Sequence, residues 1–178
     1  MTPDPLVARQ LTLGFSERED RLLLVARDAE GATIAMMLTR RLISRLVNAL
    51  ASVLKRSSVA ASRAPVDVRD DIVLMEHQGA IAPAISAQQT AQRTGAGSMA
   101  GSSRISFRLV SAIDIATHVT EFHLLLRAPR STPVLVKLNR VALHRLLELL
   151  NRKADEAEWN IPLRESWLEP GQTKFVLN

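Results

Sequence analysis

Histidines, arginines and one glycine-rich run are the residues of this chain whose types and spacing could do chemistry beyond packing. His118 and His123 flank "VTEF". On a single strand His118 faces the opposite way from His123 and Glu121, so this spacing builds no metal cage. His77 follows Glu76 in a segment without a serine or aspartate placed to complete a nucleophilic constellation. His144 falls on the outer arc of a predicted helix, where solvent is its expected neighbour. The run "GAGSMAGSS", residues 95–103, has the glycines of a phosphate loop but no Gly-Lys-Ser or Gly-Lys-Thr. Neither a strand before it nor a helix after it is evident, and a cradle needs a helix N-terminus or a lysine. The absence of cysteine removes disulfides, thiolate metal sites and cysteine nucleophiles. No pair of carboxylates stands at a telling spacing. The expectation is a protein that is not an enzyme and holds no metal or cofactor.

The arginines offer a different chemistry. Arg40, Arg41, Arg45, Lys55 and Arg56 lie on one predicted helix that carries no acidic residue, and Arg140 and Arg145 take related places on a second. These seven are candidate contacts for an anion or a nucleic acid. The net charge of +5 is spread as nine basic and six acidic residues over 1–56, four and four over 57–104, and ten and eight over 105–178. That balance is too mild to prove a nucleic-acid surface. Trp159 and Trp167 are candidate contacts for a partner, though a packing role suits them better.

The elements that must position these residues come in two similar sets. Sliding the chain by 100 residues without a gap pairs Leu24 with Leu124, Arg27 with Arg127, Leu38 with Leu138, Arg40 with Arg140, Arg45 with Arg145, Leu46 with Leu146 and Leu50 with Leu150. Apolar residues match in between, as Leu22 with Phe122 and Ile34 with Val134. The register holds across different predicted elements, so the match points to a duplication rather than to two helices that happen to look alike.

In each set three short alternating runs read as strands and end in a helix: Leu11, Leu13 and Phe15, then Leu22 to Ala26, then Ile34 to Leu38, with counterparts near 111–115, 122–126 and 134–138. Thr39 and Asn139 are suited to cap the helices that follow. On each helix the leucines gather on one arc and the charged residues on the other. Three strands and a helix bury too little alone. The expected fold is therefore α+β: tandem duplicated β-β-β-α units forming a pseudo-twofold antiparallel sheet core with two amphipathic helices. The expected divisions are a first copy over 1–56, a partly mobile linker over 57–104 with a short ordered segment near 70–82, a second copy over 105–157, and a tail over 158–178 in which "KFVLN" could add an edge strand.

Tandem strand-rich repeats of this kind, each closed by a helix, resemble in outline the PUR-repeat and whirly proteins. The likeness is architectural, since none of their sequence motifs occurs in the chain. It implies binding of single-stranded nucleic acid through the sheet, where aromatic platforms do the stacking. This chain has no tyrosine, four phenylalanines and two tryptophans. The favoured expectation is a non-catalytic protein-interaction or scaffold module, with a protein partner or self-association, and single-stranded nucleic acid as the alternative. No run reaches the roughly 18 to 20 apolar residues of a membrane span, and "MTPDPLVARQ" has no secretory pattern. The expected location is the cytoplasm, away from membranes.

Overall fold

The computed structural model describes residues 4–92 and 106–169. In chain order it holds β1 (Leu6–Ala8), β2 (Gln10–Ser16), β3 (Arg21–Arg27), β4 (Thr33–Thr39), α1 (Arg40–Arg56), α2 (Val59–Arg63), a 3-10 turn (Val66–Val68), α3 (Arg69–Gln92), β5 (Arg108–Leu109), β6 (Ala112–Thr117), β7 (Phe122–Arg127), β8 (Val134–Leu138), α4 (Arg140–Glu156) and a second 3-10 turn (Ser166–Leu168). The fold is α+β. Its strands form two four-stranded sheets, in the orders β1-β8-β7-β6 and β2-β3-β4-β5.

Both sheets are mixed, which corrects the expectation of an antiparallel core. The three-strand meanders β2-β3-β4 and β6-β7-β8 are antiparallel, but β1 joins β8 in parallel and β5 joins β4 in parallel. Each sheet thus takes its fourth strand from the other half of the chain. The crossing occurs at matching points: Arg9 N–H donates to the Arg27 carbonyl (2.7 Å) and Ser111 N–H to the Arg127 carbonyl (2.8 Å). Strands of three and two residues are too short to show a period of two, which is why the sequence pattern did not reveal them.

Alternation sets the faces. Leu22, Leu24 and Ala26 of β3 and Phe122, Leu124 and Leu126 of β7 point into the core, while Leu23, Val25 and Leu125 remain half-buried on the outer faces. The inner faces meet Ile43, Val47, Leu50 and Leu54 of α1 and Leu143, Leu147 and Leu150 of α4 in one core cluster. Burying each such side chain contributes about 1.5–3 kcal/mol. Both helices start on an oxygen that accepts an otherwise unpaired N–H: Thr39 Oγ1 from Leu42 (3.2 Å) and Asn139 Oδ1 from Ala142 (2.8 Å).

Residues 57–92 carry α2, the first 3-10 turn and α3; the ordered segment expected near 70–82 lies inside a helix of 24 residues. Its apolar residues do not gather on one arc, and Pro83 stands within it without an N–H to give to the ladder. The glycine-rich run 95–103 and the "KFVLN" segment 174–178 lie outside the described residues. Both tryptophans are 2 % exposed and belong to the core. Trp159 donates to Asp20 Oδ1 (2.6 Å) and meets Phe15 edge-on at 5.9 Å. Asp20 holds that position with a φ of 47° in the β2–β3 turn, a backbone region that aspartate tolerates better than most residues.

Candidate functional site

The seven candidate cations do not stay together. Arg40, Arg41, Arg45 and Arg56 are exposed on α1, and among the described residues none of their guanidinium groups forms a salt bridge or hydrogen bond. Arg45 and Arg56 line an open cleft of about 400 Å³ with Ser44, Asn48, Ser52, Arg164 and one acidic residue, Glu165. The segment after Trp159 forms its far wall, because Asn48 Nδ2 donates to the Pro162 carbonyl (3.0 Å) and Asn48 Oδ1 accepts from Arg164 N–H (2.8 Å). Arg164 is a cation of this cleft that the helix pattern could not supply, since it comes from the tail.

Lys55 is occupied. It pairs with Asp70 (2.7 Å) and Glu165 (3.2 Å), and Ser166 Oγ donates to the same Asp70. The hydrogen bond to Asp70 raises the Lys55 pKa, against a smaller opposing effect of burial. For Asp70, burial pushes its carboxyl upward, but the bonds from Lys55 and Ser166 outweigh it and the net direction is down. This cluster ties α1, α3 and the tail together.

Arg140 is also engaged within the molecule. Its guanidinium reaches Glu76 on α3, Ser57 Oγ (2.8 Å) and the Leu54 carbonyl (2.8 Å) at the end of α1. Glu76 in turn accepts from Ser58 Oγ (2.8 Å). Arg145 donates to the Ala80 carbonyl of α3 (2.9 Å). Both guanidinium groups are thus engaged inside the molecule, where that of Arg45 has no partner among the described residues.

The sequence reading placed His144 in solvent, and the structure corrects this: it is 1 % exposed, because α3 lies over the polar arc of α4. His77 of α3, 4 % exposed, faces it with Nδ1 to Nδ1 at 3.2 Å. His77 Nε2 lies 3.4 Å from Glu148 Oε2. His77 Nε2–H serves Glu148, and a single proton lies between the two Nδ1 atoms. Burial, then the positive charge of His77 and Arg140, hold the His144 pKa down at about 3. The bond from His77 lowers the Glu148 pKa against the upward push of burial. Trp167 closes the group, its ring 5.5 Å from His77 and 6.4 Å from His144. Trp159 and Trp167, named as candidate partner contacts, therefore present no indole face at the surface.

His118 and His123 also differ from the single-strand picture. They sit on either side of the β6–β7 turn, closed by His118 N–H to the Glu121 carbonyl (2.8 Å), with rings 4.1 Å apart. Among the described residues no group of three or more histidine or acidic side chains is arranged to hold a metal ion. No helix of these residues is long and apolar enough to cross a membrane. Between the sheets, Leu13, Leu24, Ile113 and Leu124 help line an apolar cavity of about 30 Å³. Its lining is aliphatic throughout and offers no polar side chain to orient a ligand.

Fold and site together define a two-sheet α+β protein with a polar seam buried behind α4 and a basic cleft open along α1. Comparison with family models, with curated proteins and with solved structures found no match.

Proposed function

We propose that this protein is a non-catalytic interaction module that binds another polypeptide through the α1 side of the molecule, and that its two β-β-β-α sets arose by duplication. The offset of 100 residues supports the second part: α1 and α4 occupy Arg40–Arg56 and Arg140–Glu156, with capping oxygens at 39 and 139. The first part is carried by where the rings lie. No phenylalanine or tryptophan among the described residues is exposed. A single-strand binder uses such rings as stacking platforms, and here Phe122 and both tryptophans lie in the core, Phe15 packs against it, and Arg45 stands beside aliphatic side chains. The buried histidines support a non-catalytic reading in the same way, since His77 and His144 face each other, Trp167 and Glu148 rather than an open pocket.

The unpaired arginines of α1 favour a second reading, a single-stranded nucleic-acid binder of PUR-like or whirly-like outline. Fluorescence anisotropy separates the two. Labelled single-stranded DNA, single-stranded RNA and duplex DNA titrated at low and moderate salt should show no saturable binding. Tight binding that weakens steeply with salt would replace the protein-interaction reading.

A further inference from the structure

The strand β6 is the outer strand of its sheet. Its register with β7 pairs Ala112 with Arg127 and Thr117 with Phe122, and His118 N–H bonds the Glu121 carbonyl. In an antiparallel ladder, residues alternate between those bonded to the partner strand and those turned away. The backbone groups of 112, 114 and 116 therefore serve β7, and those of Ile113 and Ile115 point off the edge. Among the described residues neither has another backbone partner. An exposed edge of this kind is a template for a further strand.

Across that edge stands α1. Leu42, Leu46 and Ala49, with Ile113 and Ile115, wall an open cleft of about 290 Å³ with Arg45 at its rim. Arg45 also lines the adjoining basic cleft and has no ion pair among the described residues. The surface thus offers free backbone N–H and C=O groups, an aliphatic groove and an unpaired cation within one small area. A nucleic acid would answer the cation and leave the groove and edge unmatched. An amphipathic helix would fill the groove and leave the edge bare. An extended peptide answers all three, with backbone bonds to the edge, aliphatic side chains in the groove and a carboxylate on Arg45. The acidic group nearest on the strand itself, Asp114, is already paired with Arg127 at 2.8 Å.

We propose that an extended peptide segment, with aliphatic side chains toward α1 and an acidic side chain for Arg45, adds to β6 as a fifth strand. This rests on the protein-interaction reading above and names the partner's chemistry. A random octapeptide library displayed on phage and selected on the full chain tests it. The enriched peptides are then synthesised, titrated by anisotropy, and followed by amide hydrogen exchange. Enriched sequences should carry aliphatic residues at every second position and at least one aspartate or glutamate. Arg45→Glu, an exposed substitution whose unchanged circular dichroism verifies the fold, should weaken them at least tenfold. Exchange should slow at Ile113 and Ile115. No enrichment, an affinity indifferent to Arg45→Glu, or protection at the β2 edge instead would overturn the β6 site. Protection at β2 would leave the protein-interaction reading standing, whereas salt-sensitive nucleic-acid binding without any peptide binding would remove both.

Discussion

The helices α1 and α4 start from nearly the same pattern and end in opposite surroundings. At position 40 an arginine is exposed and, among the described residues, unpaired; the arginine at 140 bonds Glu76, Ser57 and Leu54. Ser44 lines an open cleft, while His144 is buried. Asn48 holds the tail, and Glu148 meets His77. The cause is α3, which lies on α4. Two matching apolar arcs build one core, and α3 covers the polar arc of α4 while much of that of α1 stays exposed. The α4 arc has its partners inside the molecule, and among the described residues the cations without partners lie on the α1 arc.

The largest effects should be the same in both halves, where the two helices agree. Leu50→Asp and Leu150→Asp each place a charge among fully buried leucines and should each cost at least about 4 kcal/mol, enough to abolish cooperative thermal unfolding. A folded Leu150→Asp protein would break the shared-core picture. The next pair should differ. Arg140→Gln leaves Glu76 without its cation and should lower stability by about 2 kcal/mol in urea titration, the figure being reduced because both groups are partly exposed. Arg40→Gln should change it by less than about 0.5 kcal/mol.

The pH dependence should sharpen the contrast, because position 44 has nothing to titrate. The His144 pKa falls from 6.5 to about 3 on folding, so the unfolded chain binds the extra proton. Stability should therefore be full above pH 6.5 and decline as the pH drops toward 3. Glu148, lowered from 4.5, adds loss in the same direction below that value. His144→Leu should flatten the decline above pH 4.5 when denaturation midpoints are compared across that range. The smallest difference is expected at the next pair: Arg145→Gln should cost about 1 kcal/mol through its bond to Ala80, and Arg45→Gln next to nothing.

Much of the fold was legible because it depends on local pattern. Thr39 and Asn139 cap where their types suggest, and the leucine arcs of both helices point inward. The parallel strands β1 and β5 were not legible, since three or two residues carry no period and their partners lie more than a hundred and about seventy residues away, respectively. The candidate site was read in part. A helical wheel places Arg45, Arg140 and His144 alike on polar arcs, but it cannot say which arc a third helix will cover. The signal for α3 was weak, with alanine, serine and glutamine where an amphipathic stripe would have announced a docking face. Arg164 and the free edge of β6 depend on chain packing and sheet order, which no spacing in the sequence encodes.

The claim that α3 covers position 144 of α4 while position 44 of α1 stays open is tested most directly by thiol labelling, because the chain has no cysteine of its own. Ser44→Cys and His144→Cys would each be treated with a maleimide reagent under native conditions, with the rate in denaturant as reference. The thiol at 44 should react within about tenfold of its unfolded rate, and the thiol at 144 at least a hundredfold more slowly than its own. Equal native rates at the two positions would contradict the account.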